Sequence, residues 1–140
     1  MGYGGQLDPS YTIPSIIATP QKEERPVRDG PKFNKDLDYY IGDEACNKGA
    51  DYKRTNLIKK GEVADWEGIE KFWHRSIHTY LRCEPENHNF VLTEPPKNSP
   101  ENREQMAEIM FETFNVKGLF IGVQAILALK AQRCTLGAEN

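Results

Sequence analysis

Residues 90–131 decide the fold, because short apolar strands alternate with amphipathic helices along them. Phe90-Val91-Leu92-Thr93 is typical of a buried strand. Ser99-Pro100-Glu101 supplies an N-cap, a proline at the first helical position and an acidic first turn, which together predict a helix over residues 100–114. Leu119-Phe120-Ile121 is the next apolar strand. Strand, helix and strand in this order predict a right-handed parallel βαβ unit.

The two strands of this unit are expected to be parallel neighbours over residues 89–93 and 119–122. Because their apolar runs are short and uninterrupted, we expect the sheet to be covered on both faces. A further helix should follow, because apolar side chains recur at helical spacing. The apolar residues of this predicted helix are Val123, Ile126, Leu127 and Ala131.

The first half of the chain has weaker patterns. Residues 11–18 are rich in β-branched side chains and predict a strand, with Pro14 at an edge or a bulge. Residues 19–35 are charged and contain proline and glycine, so they predict a mobile surface insertion. Residues 37–41 form a short candidate strand, and residues 47–57 are expected to be a polar loop.

Between these halves, a helix is expected over residues 66–82, with Asp65 as its N-cap. His74 and His78 lie four residues apart on it, a spacing that could hold a metal ion. The H-E-x-x-H pattern is not met, because Arg75 stands where the catalytic glutamate is needed. We therefore expect both histidines to flank the apolar stripe, and the sequence predicts no metal site.

The composition limits the classes of function. The chain has 140 residues and a formal net charge of -3, so it has no basic field for nucleic acid or anionic lipid. Its three cysteines, Cys46, Cys83 and Cys134, include no C-x-x-C pair, which argues against a disulfide framework and a zinc thiolate site. The longest apolar stretch, residues 119–129, is too short to span a bilayer. We expect one soluble domain in a reducing compartment.

Other candidate groups for chemistry are few. Six glutamates look like an acidic cluster, but they fall on loops and outer helix positions, so we expect a solvated surface rather than paired carboxylate catalysis. They are Glu84, Glu86, Glu94, Glu101, Glu104 and Glu108. Ser15, Ser99 and Cys83 lack the patterns of an activated nucleophile. Gly2-Tyr3-Gly4-Gly5 is not a phosphate loop and is expected to be a hairpin end.

Four stretches resemble the actin family, and they occur in the family's order. They are Tyr40-Ile41-Gly42-Asp43-Glu44-Ala45, Leu92-Thr93-Glu94-Pro95-Pro96, Glu101-Asn102-Arg103-Glu104 and Ile109-Met110-Phe111-Glu112-Thr113-Phe114-Asn115. Within the family, Asp36-Leu37-Asp38 and the run from Tyr80 to Glu86 look more like the actin-related proteins than like conventional actin.

The resemblance implies an α/β class and a partial actin fold. Residues 1–18 and 62–140 would form the ribonuclease H-like core of the first actin subdomain. Residues 19–61 would be the insertion that forms the small second subdomain. In complete members of the family, ATP with magnesium lies between two halves of the molecule.

The resemblance also assigns one catalytic-type residue. Gln124 stands where a strand should end and a helix begin, and it matches the family glutamine that orients the attacking water in ATP hydrolysis. The family holds the phosphates with hairpins of the D-x-G-T/S-G and D-x-G-D-G type, and neither motif occurs in these 140 residues. We therefore expect Gln124 to be inactive in this chain alone, which should bind no ATP and be no enzyme. No cofactor-binding or metal-binding residue is assigned.

The implied partners are actin filaments, a second actin-related protein and the other subunits of the complex that starts branched actin filaments. The implied location is the cytoplasmic cytoskeleton, without nucleic-acid binding or membrane insertion. Two alternatives stay open. The chain could be an ATPase fragment of the wider superfamily of actin, Hsp70 and sugar kinases, or a partial gene product without a function.

Overall fold

The computed structural model describes residues 1–21 and 39–136, with side chains described as far as Arg133. The described residues divide between two compact units: those within Met1–Ile58 and Ala64–Leu81 form the first, and those within Lys59–Val63 and Arg82–Asn140 form the second. Strands and helices alternate in both units, which confirms the predicted α/β class. The predicted boundaries of the core and the insertion stay a prediction.

The first unit contains the strands β1 (Ile16–Pro20), β2 (Tyr40–Ile41) and β3 (Tyr52–Asn56). They form an antiparallel sheet with the order β2-β1-β3. The short helix α1 (Gly42–Cys46) follows β2 directly. Ile17 and Ala18 of β1 are buried, so the middle of the sheet is the core of this unit.

Helix α2 (Trp66–Arg75) completes the first unit and begins as predicted. The Asp65 side chain accepts a hydrogen bond from the Gly68 backbone N–H at 3.0 Å, which confirms the predicted N-cap. Ile69 and Phe72 of α2 are buried. The helix continues as a π-helical segment, Ser76–Leu81, so the predicted helix over residues 66–82 is confirmed in extent and changes its hydrogen-bonding period near the middle.

The second unit is built on β6 (Asn89–Glu94) and β7 (Gly118–Val123), which pair in parallel from Asn89 opposite Gly118 to Glu94 opposite Val123. Between them lie α3 (Pro100–Glu108) and a π-helical segment, Ile109–Thr113. This confirms the predicted pairing and the helix that joins the strands. Helix α4 (Gln124–Leu136) follows β7 directly.

The remaining elements are short. Strands β4 (Ile58–Lys59) and β5 (Glu62–Val63) pair as a two-stranded sheet, with Lys60 and Gly61 at positive φ between them. A single 3₁₀ turn, Pro85–Asn87, precedes β6. Ser99 caps α3 by accepting a hydrogen bond from the Asn102 backbone N–H at 3.2 Å, as the sequence predicted.

Three expectations need correction. The strand expected over residues 11–18 begins only at Ile16, because the Ile16 N–H bonds to the Pro14 carbonyl at 2.9 Å in a tight turn. The polar loop expected over residues 47–57 contains β3, whose backbone pairs with β1 from Tyr52 to Asn56. A backbone ladder satisfies its N–H and C=O groups whatever the side chains are, so the polar composition was misleading.

The third correction concerns the burial of the sheet formed by the parallel strands β6 and β7. Val91 and Phe120 lie directly opposite each other, and they are 64% and 58% exposed. The expectation that the described residues cover both faces of this sheet was therefore wrong. The predicted insertion over residues 19–35 lies outside the described residues from residue 22 onward, and only Tyr39 to Ile41 of the candidate strand over residues 37–41 are described.

Candidate functional site

Three polar residues of the second unit, Thr93, Glu94 and Gln124, lie where the parallel strands end. β6 ends at Glu94 and β7 ends at Val123, and these two residues are opposite each other in the register. Because α4 begins at Gln124, its first side chain lies at the same edge. In α/β sheets this edge, at the carboxyl ends of the strands, is where ligands usually bind.

Gln124 contacts the neighbouring strand through its side chain. Its Nε2 donates a hydrogen bond to Thr93 Oγ1 at 3.4 Å, and both side chains are exposed. With Nε2 engaged, the amide oxygen Oε1 is available to accept a hydrogen bond from water or a ligand. The predicted position of Gln124, between a strand and a helix, is confirmed, whereas its catalytic role stays a prediction.

Glu94 is the buried acid at this edge. Its side chain is 1% exposed. Its carboxylate accepts hydrogen bonds from Arg103 Nε at 3.0 Å, from Arg103 Nη2, and from Asn98 Nδ2 at 3.0 Å. Arg103 lies on α3, so the fork of its guanidinium joins the end of β6 to that helix.

The hydrogen bonds between Glu94 and Arg103 favour the charged form of both side chains. The hydrogen bonds from Arg103 and Asn98 hold the pKa of Glu94 below its ordinary value, although burial acts in the opposite direction. The hydrogen bond to Glu94 raises the pKa of Arg103. Glu94 is therefore an ionised structural anchor beside Thr93.

Two residues of this edge were missed or misjudged from the sequence. Glu94 was grouped with five other glutamates on a solvated surface, which is wrong because its carboxylate is buried and paired. Thr93 was not singled out. The available signal was the position of both residues at the end of an apolar strand, with Glu94 nine residues before an arginine in the first turns of a capped helix.

His74 and His78 lie in the first unit, on α2 and on the π-helical segment that follows it. Their ring centroids are 4.5 Å apart, with the rings tilted by 54°. Burial, His78 and Arg75 hold the pKa of His74 below its ordinary value. Residues 1–21 and 39–136 contain no group of three or more side chains that could hold a metal ion.

The glycine-rich N-terminus is tied to its own loop. The Met1 ammonium donates to the Tyr11 carbonyl at 2.6 Å, and the Tyr11 N–H donates back to the Met1 carbonyl at 2.9 Å. Gly4 and Gly5 form the turn between them. This is the geometry of a hairpin end, as expected, although no strand is formed there.

No helix in the described part of the chain is long and apolar enough to cross a membrane.

Comparison with known proteins gives one consistent result. The family model described as Actin matches residues 1–136. Actin-related protein 3 of Dictyostelium discoideum is 51% identical over 100% of this chain and 34% of its own length. Actin-related protein 3 of Acanthamoeba castellanii is 50% identical, and that of Caenorhabditis elegans is 48% identical, each over 94% of this chain and 33% of its own length.

The chain thus spans about a third of the length of these curated relatives. The motifs around Tyr40, Leu92, Glu101 and Ile109 all lie within the matched residues. The likeness to the actin-related proteins, rather than to conventional actin, agrees with the names of the relatives. Sequence motifs, α/β architecture and family match lead to one conclusion: the chain belongs to the actin family.

Proposed function

We propose that this chain is part of an actin-related protein 3-like subunit, whose role is to nucleate branched actin filaments together with a second actin-related protein and further subunits. The observation that carries the proposal is the identity of about 50% with actin-related protein 3 over nearly the whole chain. The matched region covers both compact units. The family role, the partners and the cytoplasmic cytoskeletal location come to this chain by that resemblance.

Within such a subunit, we assign Gln124 to the ordering of a water molecule at the edge of the parallel strands. The hydrogen bond from its Nε2 to Thr93 orients the amide so that Oε1 can accept from water. Glu94 and Arg103 fix the end of β6, and therefore the backbone of Thr93. This arrangement fits the water-positioning role of the family glutamine.

The same edge does not fit the binding of a nucleotide by this chain alone. ATP with magnesium would supply the reacting phosphate and its countercharge in a complete protein. Thr93 and Gln124 are neutral and exposed, and they provide neither the backbone donors nor the carboxylates that hold a triphosphate with its metal ion. The ribonuclease H-like core and the second-subdomain insertion remain parts of the proposal.

A chimera tests the proposed role directly. The matching third of Dictyostelium actin-related protein 3 is replaced by residues 1–140, and the purified branching complex is reassembled around the chimera. We expect co-purification with the other subunits and branched filaments visible by fluorescence microscopy of labelled actin. A chimera that folds, binds nucleotide and never enters the complex would contradict the proposal.

The alternative, an ATPase fragment of the wider superfamily, has a different signature. It predicts nucleotide turnover without the branching partners and no entry into the complex. A second chimera that carries Gln124→Ala tests the proposed role of this residue. Under our proposal it assembles and branches, while its rate of ATP hydrolysis falls at unchanged nucleotide affinity.

A further inference from the structure

His74 and His78 place two imidazole rings next to each other on the surface of the first unit. Both side chains are exposed, and their ring centroids are 4.5 Å apart. Because the rings are this close, small rotations bring one nitrogen of each ring to the separation of two ligands on one metal ion. A metal at about 2.0–2.1 Å from each nitrogen needs that separation.

The backbone holds this pair in place. His74 belongs to the last turn of α2, and His78 belongs to the π-helical segment. Ile77, beside His78, is buried, and so is Phe72, two residues before His74. The two rings are therefore presented by one continuous, anchored stretch of chain, and little conformational freedom is lost when they bind one ion.

Two charged side chains, those of Arg75 and Glu70, lie near the pair. The Arg75 guanidinium is held elsewhere, because it donates to the Tyr39 carbonyl at 2.9 Å and stacks over the Tyr39 ring. Glu70 contributes a negative charge near His74.

We propose that His74 and His78 form an exchangeable site for a late first-row divalent cation, Cu²⁺, Ni²⁺ or Zn²⁺, with water in the remaining positions. Imidazole nitrogen suits these ions, whereas Mg²⁺ and Ca²⁺ prefer oxygen ligands. Because no group of three or more ligating side chains occurs in the described part of the chain, the site is open rather than closed. It differs from the H-E-x-x-H centre that the sequence excludes, and it is independent of the proposed nucleotide chemistry.

The test uses the tag-free 140-residue chain and measures its melting midpoint with each cation as the chloride salt. The pair chelates only when the helix is formed, so the cation stabilises the folded state. We expect Ni²⁺ or Cu²⁺ to raise the midpoint by about 3 °C or more, Zn²⁺ to act less strongly than Cu²⁺, and Mg²⁺ to have no effect. His74→Gln and His78→Gln should each abolish the rise.

His88→Gln is the matched control. This third histidine lies in the second unit, where its Nδ1 is 2.8 Å from the Glu84 carbonyl oxygen. The variant should keep the full metal response. A second readout, which needs no change in stability, is paramagnetic broadening of imidazole proton resonances by Cu²⁺. Broadening confined to His74 and His78 supports the site, whereas equal broadening of all three histidines, or a midpoint shift retained in the His74→Gln/His78→Gln double variant, overturns it.

Discussion

Arg103 Nε lies 3.0 Å from the Glu94 carboxylate, and this contact joins the end of β6 to α3. The two partners differ in environment, because Glu94 is buried while the Arg103 side chain is half exposed. A carboxylate can be kept in the interior only if it is paired and hydrogen-bonded. Arg103 and Asn98 meet that requirement and thereby fix the strand end that carries Thr93.

Glu94→Gln is expected to destabilise the chain, because it removes the negative charge and replaces one of the two oxygens that accept from Arg103 with an amide N–H₂ donor. We expect the melting midpoint to fall by about 5 °C. The pKa of Glu94 is lowered on folding, so its contribution is present above its ordinary value of 4.5 and is lost as the pH falls below that value. Urea unfolding between about pH 3 and 7 measures this slope.

The control is Glu104→Gln, which replaces an exposed glutamate of α3. It should leave both the midpoint and the acid slope close to those of the wild-type chain. The Glu94→Gln variant should lose part of the slope below pH 4.5. Equal acid slopes in all three proteins would show that Glu94 does not titrate as the structure implies.

Gly68→Ala should destabilise the chain, although alanine usually stabilises a helix interior by about 1 kcal/mol relative to glycine. A Cβ at this position would lie 2.5 Å from Leu57 Cδ2 and 2.7 Å from Asp65 Oδ2. Leu57 is fully buried, and Asp65 is the N-cap. We expect a loss of about 1–3 kcal/mol in the free energy of unfolding, measured by urea titration. Gly49→Ala, where no heavy atom lies within 4 Å, is the control, and a stabilised Gly68→Ala variant would refute the predicted clash.

Lys48 is expected to stabilise the first unit through the Tyr40 ring. Its Nζ lies 3.4 Å from the Tyr40 ring centroid and 5.5 Å from that of Tyr52. A double-mutant cycle of Lys48→Met with Tyr40→Leu should give a coupling of about 0.5–1 kcal/mol. The same cycle with Lys53→Met, an exposed lysine of β3, should give none. Coupling of the same size in both cycles would mean that general charge, not the ring contact, is responsible.

The 140-residue chain is expected to self-associate through apolar surface of the second unit. Ile126 and Leu129 of α4 are exposed, in addition to Val91 and Phe120, whereas Leu127 is half-buried. Exposed apolar side chains in such number mark an association surface or an aggregation hazard. Phe120→Ser should raise the monomer fraction in light scattering, and Leu7→Ser, at an isolated exposed leucine, should not. A monodisperse, dye-silent wild-type monomer over a wide concentration range would refute this.

The 140-residue chain alone should bind no Mg-ATP. A triphosphate needs many backbone donors and a coordinated metal ion, and a single neutral amide such as Gln124 supplies no phosphate affinity. Calorimetric titration should show no saturable heat at millimolar ligand, which corresponds to about 4 kcal/mol of binding free energy. A full-length relative serves as the positive control. A micromolar dissociation constant that Gln124→Ala abolishes would show that the chain forms a nucleotide site by itself.

The sequence by itself determined the elements whose signals are local. The N-caps Asp65 and Ser99, the parallel strands and the position of Gln124 at a strand end all follow from side chains within a few residues of each other. Apolar spacing and capping act through neighbours along the chain, so they can be predicted without knowing the fold. The four family motifs added the architecture around them.

Tertiary structure decided what depends on residues that are distant in sequence. Glu94 resembles the five other glutamates in sequence, and only the fold brings Arg103 to its carboxylate. The polar segment of β3 is a strand because its backbone pairs with β1. The apolar runs of the two parallel strands predict that both strands are fully buried, yet Val91 and Phe120 are exposed. Whether a residue is buried or paired depends on the residues that pack against it in the fold, and the composition of a segment does not identify those residues.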